Sequence, residues 1–358
     1  MINRRQLIQA TGAAAFGTLG RATSKVAGKA PKSGENAAKS ENALIYVGTQ
    51  RSSTNRMLQF YKRFGVNNVC GNPPEWSPEG LRRLKERCAA NDITLDMVPL
   101  GMPRSVGLLG DKDYRDRQIE QTCQQISWAA GAGIPAIKYN MAVLDVLRIG
   151  EMLGRGGSTY STWVYAKAAR DRPLTRAGHL PAGLFWERIT YFLERVIPVA
   201  TEYKVKMACH PHDPGVPPDG YRGVQRILGT VDGLEKFVQI SPSPYHGLNF
   251  CVGTIASNLH NPAVEIFDVI RHFGQGKKIF NVHFRNIRGS RGNFREVYLD
   301  EGEIDMFRVM KTLKEVSYSG MVMPDHVPTH PEDPDQLQGL AFAFGYIKAL
   351  IQAVSVES

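Results

Sequence analysis

The chain has 358 residues, 42% of them hydrophobic, and 44 Lys+Arg against 34 Asp+Glu give it a formal charge of +10. That length holds one large domain or two medium ones with ample core, and its ordinary apolar and charged fractions exclude global disorder, collagen and coiled coil. No uninterrupted apolar run reaches the roughly 18 residues that a membrane span needs, which excludes a polytopic membrane protein.

About half of the positive excess sits in residues 1–42, where Arg4, Arg5, Arg21, Lys25, Lys29, Lys32 and Lys39 face only Glu35 and Glu41. The remainder is weakly basic, which does not argue for a nucleic-acid partner and would suit a small anionic substrate. Asn3-Arg4-Arg5-Gln6-Leu7-Ile8 followed by the Gly/Ala-rich run Ala10–Gly20 has the order of a twin-arginine export signal. Residues 1–22 are therefore expected to be that signal and 23–42 a flexible linker. The twin-arginine machinery becomes an expected partner, and the expected location is periplasmic or extracellular, membrane-tethered if the signal stays uncleaved. This route carries folded proteins with cofactors already bound, which directs attention to metal sites.

From residue 43 on, short apolar runs alternate with longer amphipathic segments. Strands are predicted at 43–48, 66–71, 94–100, 136–141, 205–210, 247–252, 278–284 and 320–325. Helices are predicted at 54–64, 78–91, 114–131, 185–203, 231–240, 262–274, 304–316 and 335–353. Ser77-Pro78, Asn261-Pro262 and Asp333-Pro334 are natural helix starts. Eight such units over 43–355 predict an α/β fold, a (β/α)8 TIM barrel. A doubly wound sheet would carry a Gly-rich loop after its first strand, and Gly48-Thr49-Gln50-Arg51 is no such loop. Residues 142–184 exceed a normal βα connection and are expected to form a lid-like insertion over the C-terminal face. Its Tyr160, Trp163 and Tyr165 either stack on a ligand or pack the insertion down. Arg288, Arg291 and Arg295 after the seventh strand read as a solvated basic loop. The five cysteines, Cys70, Cys88, Cys123, Cys209 and Cys251, are odd in number and widely spaced, so a disulfide framework is not expected.

In a (β/α)8 barrel the chemistry sits at the C-terminal strand ends. The last four predicted strands end in His210, Cys251, His283 and Asp325. Two imidazoles, a thiolate and a carboxylate aimed at one point would bind one divalent transition metal, Zn2+, Mn2+, Fe2+ or Co2+, while the soft sulfur disfavours magnesium. Cys209 would point away by strand alternation. His212 is either a partner of a ligand or a surface residue.

The segments His210-Pro-His-Asp-Pro214, Gly247-Leu-Asn-Phe-Cys251, His283-Phe-Arg-Asn286, Pro324-Asp-His326, Lys138-Tyr-Asn140, Val143-Leu-Asp145 and Gly302-Glu-Ile-Asp-Met306 resemble those of the mannonate dehydratase family, within the xylose-isomerase-like barrels. The resemblance covers roughly 90–355. It implies His210, Cys251, His283 and Asp325 as metal ligands, usually for Mn2+, and His326 as an acid/base residue. The chain departs from the family in several places. The first strand has Ile45-Tyr46-Val47-Gly48 where the family has Arg-Trp-Tyr-Gly. Met97-Val98-Pro99-Leu100-Gly101 replaces an acidic, His-bearing stretch. His212 stands for an Asp, and Pro328–Asp335 is shorter than the family loop and lacks its Tyr.

The implied activity is that of a hydro-lyase removing water from a sugar acid. It takes a proton from carbon 2 and releases hydroxide from carbon 3. The metal acts as Lewis acid, and an acid and a base move the protons. His326 can fill one of these roles because histidine titrates near neutrality, and Tyr139 is a candidate for the other. Arg285 would hold the substrate carboxylate or a structural ion pair, and Asp213, Asn286 and Asn140 would orient ligands or hydroxyls. The same parts would serve a metal-dependent sugar isomerase or epimerase, the main alternative, and a non-catalytic exported sugar- or metal-binding protein is the third reading. The expected ligand is a sugar acid or keto-sugar, and a second copy of the chain in a homo-oligomer is compatible with the sequence.

Overall fold

The structure is a computed structural model that describes residues 44–101, 111–168 and 172–357. The expected signal, linker and domain start at 1–43 lie outside the described residues, as does most of the loop after the third strand.

Eight strands close into a parallel barrel, in the order β1 (Ile45–Thr49), β12 (Gly320–Met323), β9 (Ile279–His283), β8 (His246–Cys251), β7 (Lys206–His210), β4 (Ala136–Asn140), β3 (Thr94–Pro99) and β2 (Asn68–Cys70). The first strand pairs with the last, Ile45 opposite Gly320 and Val47 opposite Val322. All eight lie within a residue or two of the predicted positions. The intervening helices are α1 (Asn55–Arg63), α2 (Pro78–Ala89), α3 (Lys112–Gly131), α4 (Ala182–Glu202), α5 (Val231–Gln239), α6 (Val252–Ala256), α7 (Pro262–Gln275), α8 (Met306–Glu315) and α9 (Leu337–Val356).

Local chemistry accounts for these boundaries. Ser77 accepts the Gly80 amide at 3.0 Å ahead of Pro78, as an N-cap should. Helix α9 begins at Leu337, after Gln336, rather than at Asp333-Pro334, and Asp333 reaches forward to accept the amides of Gln338 and Gly339 in its first turn. Helix α4 buries Phe185, Ile189, Phe192, Leu193, Val196 and Ile197, a stripe of period 3.6. Each such side chain supplies about 1.5–3 kcal/mol of burial free energy. Helix α9 is long and apolar enough to cross a membrane by composition, but Leu340, Ala343, Phe344 and Ile347 are buried in the same core as β1. It is the last helix packed around the barrel. Inside the barrel, Cys70, Met97, Ala136, Ala208, Met321 and Met323 form a separate packed layer.

Two features differ from the sequence reading. The 142–184 insertion carries the hairpin β5 (Glu151–Leu153) and β6 (Thr159–Val164), and the segment after β9 carries a second hairpin, β10 (Ile287–Ser290) and β11 (Asn293–Glu296). They join into one four-stranded antiparallel sheet, β10-β11-β6-β5. Arg288 and Arg295 therefore belong to strands, not to a loop. Of the two roles open to the insertion's aromatic residues, the structure places them in packing. Trp163 is 1% exposed and wedged between Tyr165 and Tyr221, and Tyr160 packs edge-on to Tyr298.

Trp163→Ala should cost about 3–5 kcal/mol, the loss expected for a fully buried large aromatic. Leu153→Ser, at a position 82% exposed, should stay within about 0.5 kcal/mol. Urea-melt midpoints of the two variants test this contrast.

Candidate metal centre

His210 ends β7, Cys251 ends β8, His283 ends β9, and Asp325 follows β12 by two residues. One donor atom from each lies within 4.8 Å of all the others. Ligands held at the usual 2.0–2.3 Å can be at most about 4–4.6 Å apart, so a small contraction suffices to close the set on one ion.

The surroundings of each donor suit that role. The His210 Nδ1–H donates to the Pro211 carbonyl at 2.7 Å, which leaves Nε2 as the free lone pair. Burial also disfavours its charged form, outweighing the Asp325 and Asp213 carboxylates, so the ring stays neutral. His283 has a buried Nδ1 that makes no hydrogen bond and sits 3.3 Å from Asp325 Oδ1. An orphaned buried nitrogen facing a carboxylate is what a ligand nitrogen looks like without its ion. At the other side of the ring, the Asn249 amide group is 3.1 Å from Nε2 and 2.7 Å from the Asn281 side chain. Asn249 turns its Nδ2 amide to that nitrogen while its Oδ1 accepts from Asn281 Nδ2, so the two amides together hold the ring in place. Cys251 is fully buried, and its sulfur accepts from the Thr254 amide at 3.4 Å. The Thr254 hydroxyl lies 3.1 Å from both that sulfur and Asp213 Oδ2. Burial opposes the charge of Asp325, yet His326, His283 and Arg285 hold its carboxyl well below the usual range. Together these residues form one buried site able to hold a divalent metal.

Beside the donors lies a knot of buried charge. The Arg285 guanidinium, 1% exposed, contacts Asp213 at 2.9 Å, Glu296 at 2.8 Å and Asp325 at 3.1 Å, and it donates to the Thr254 hydroxyl at 2.8 Å. Arg148, from the insertion, pairs with Asp213 and Glu296. Burial penalises both carboxylates, but Arg285 and Arg148 hold Asp213, and Arg285, His326 and then Arg148 hold Glu296, below their ordinary pKa. Glu296 in turn takes the Nδ1 side of His326 at 2.9 Å, and Nε2 lies 3.6 Å from Asp325 Oδ1. The His326 side chain is 42% exposed. Asp325 and then Glu296 raise its pKa against the opposing effect of burial.

The remaining candidates divide. Asn140 lies opposite His210 in register and caps its own turn through the Ala142 amide. Tyr139 is the neighbour that points outward. Its ring packs 6.3 Å from Phe192 of α4, and burial beside the Cys209 thiol pushes its hydroxyl pKa well up. This geometry removes Tyr139 from the mouth and with it the expected proton-transfer role. Arg285 is enclosed by three protein carboxylates and has no face for a substrate, so of its two readings the structural ion pair describes it. His212 is neither at the surface nor against a donor. It stacks on Phe185 at 5.4 Å, accepts the Leu228 amide and reaches the Met141 carbonyl. Asn286 is buried and spends its amide on the Leu299 and Ile304 carbonyls. A Cβ on Gly302 would come 1.9 Å from its oxygen, which is why that loop needs glycine there. The shortened loop after β12 is pinned to the insertion by a Thr159–Thr329 bridge. The sequence reading missed Glu296, Arg148, Asn249 and Gln50. Gln50 donates to Asp325 Oδ1 at 3.0 Å.

Comparison with known proteins places this geometry. The family model described as D-mannonate dehydratase (UxuA) matches residues 172–357. Mannonate dehydratase 2 of Halalkalibacterium halodurans is 30% identical over 278 residues, covering 70% of this chain and 79% of that protein. The crystal structure of mannonate dehydratase from Streptococcus suis serotype 2 superposes with a TM-score of 0.77 at 24% identity, over 87% of this chain and 94% of that one. D-psicose 3-epimerase from Clostridium cellulolyticum H10 shares the fold, with a TM-score of 0.55 at 13% identity over 86% of this chain and 99% of that one.

Metal analysis by mass spectrometry should find one tightly held ion per chain, lost in Cys251→Ser and Asp325→Ala. Asn249→Ala should weaken affinity about 10–100-fold. Asp213 and Glu296 have depressed folded pKa values, so their stabilisation is present above the unfolded values of about 3.9 and 4.3. It is lost as pH falls through that range toward the folded values. An acid titration followed by tryptophan fluorescence should show this loss, and Asp213→Asn should blunt it.

Proposed function

The chain belongs to the mannonate dehydratase family, and from that premise we propose that its substrate is a sugar acid, D-mannonate or a related aldonate or uronate derivative, dehydrated to the 2-keto-3-deoxy product. It is a metal-dependent hydro-lyase of that type. The observation that carries the reading is the set of four donors at consecutive strand ends, with the half-exposed His326 next to the last of them.

Mn2+ is the proposed ion, held by His210, Cys251, His283 and Asp325. When bound it supplies Lewis acidity to the substrate oxygens and so lowers the cost of negative charge developing at carbon 2. His326 is the proposed proton carrier. Glu296 fixes its Nδ1 side, so Nε2 is the atom left to take or deliver a proton at the mouth. Asn140 faces the same mouth from β4 and is placed to bind a substrate hydroxyl. The 142–184 insertion serves as its cover, and the pairing of Arg148 with Asp213 and Glu296 supports a cover that is docked. Residues 1–22 are proposed to send the folded protein through the twin-arginine route to the periplasm or beyond.

Metal-loaded protein offered D-mannonate and related aldonates should release 2-keto-3-deoxy acid. Turnover of keto-sugars with none on any aldonate would overturn this in favour of an epimerase or isomerase, and metal binding without turnover in favour of a binding protein. His326→Gln should cut kcat by about 10²–10⁴ with metal content unchanged. In cell fractions, an Arg4→Lys, Arg5→Lys double variant should be retained in the cytoplasm while the parent is exported.

A further inference from the structure

The geometry points to Lys138 as the anchor for the substrate carboxylate. The inference rests on the sugar-acid reading above and adds to it the residue that recognises the acid.

Lys138 lies on β4 between Ala136 and Asn140, opposite Ala208 in register. Ala136 and Ala208 belong to the layer of side chains inside the barrel. By strand alternation Lys138 shares that inward face, one step below the level of His210 and Asn140. Its ammonium rises to donate to Gln50 Oε1. The same amide donates from Nε2 to Asp325 Oδ1 at 3.0 Å. One amide group therefore separates the Lys138 charge from a donor of the metal site.

This cation has no counter-charge. Among the described residues, no carboxylate lies within ion-pair distance of it. Asp96, on the neighbouring β3, is turned to Asn68 at 2.8 Å. The Cys70 thiol lies beside the ammonium, but burial pushes its pKa up and keeps it neutral despite Lys138. The other cations near the mouth are engaged elsewhere. Arg285 and Arg148 are spent on Asp213 and Glu296, and Arg51 is turned to Gln336 ahead of α9.

A half-buried ammonium without an acidic partner is costly. A carboxylate entering beside the metal donors relieves that cost and gains a charge-assisted hydrogen bond. The same contact serves the reaction. Carbon 2 adjoins the carboxylate, and a fixed positive charge there offsets the negative charge that grows when its proton leaves. It also separates sugar acids from neutral sugars of the same length.

The test uses metal-loaded protein, with D-mannonate and the uncharged D-mannitol as calorimetric probes. Lys138→Met and Lys138→Gln should keep the metal, lose roughly 10- to 100-fold in D-mannonate affinity, and leave mannitol binding unchanged. Lys138→Arg should recover part of the loss. Unchanged D-mannonate affinity in both variants overturns the proposal. So does loss of metal in both, which would make Lys138 a strut for Gln50 and Asp325, and so does a collapse of kcat at unchanged KM, which would make it a proton carrier. If the parent protein prefers D-mannonate to mannitol but never turns it over, and Lys138→Gln erases that preference, the dehydratase reading fails while the anchor stands.

Discussion

The buried guanidinium of Arg285 is the tie on which the mouth of this barrel depends. It extends from the end of β9 and meets Asp213 after β7, Glu296 at the end of β11 and Asp325 after β12. Three carboxylates so close together would repel one another if nothing positive lay between them. An isolated buried charge of either sign would be several kcal/mol uphill. Together with Arg148 they balance, and the balance fixes the positions of four chain segments distant in sequence. Asp325 gains most from this. Its charged form is maintained by its neighbours, so it is ready to bind a cation without first losing a proton.

The same tie explains the second sheet. A hairpin after β9 and a hairpin from the insertion have no necessary relation to the barrel. Pairing of β11 with β6 joins them, and Glu296 and Arg148 lock the pair to the barrel rim. Trp163 and the surrounding tyrosines supply the apolar contact that a small sheet needs. Arg148 thus ties the insertion to the charge knot beside the donors.

The barrel was legible in the sequence because its strands are runs of Val, Ile, Met and Phe spaced by amphipathic helices, and parallel buried strands announce themselves that way. The four donors were legible because each ends such a run. Glu296 and Arg148 were not. They sit on or beside short strands, with too few residues to show a period, and their importance arises only from long-range pairing. Tyr139 was misjudged for a different reason. The alternation that sends Cys209 outward next to His210 also sends Tyr139 outward between Lys138 and Asn140, and that argument points to Lys138 as the inward side chain. Asn286 and His212 look like site residues by composition, yet their hydrogen bonds are spent on backbone. Whether an amide or imidazole has a free polar atom is a property of its tertiary neighbours.

The barrel closes by pairing its first strand with its last, and the donor Asp325 lies just beyond that last strand. No nascent chain can complete the ring before β12 has been synthesised, because β1 has no partner on that side until then. Contacts so distant in sequence are also slow to form. The fourth donor therefore joins the other three only when the ring itself closes. Closure of the barrel and completion of the donor set are thus one event, and a variant that loosens the β1–β12 seam would loosen the metal site with it.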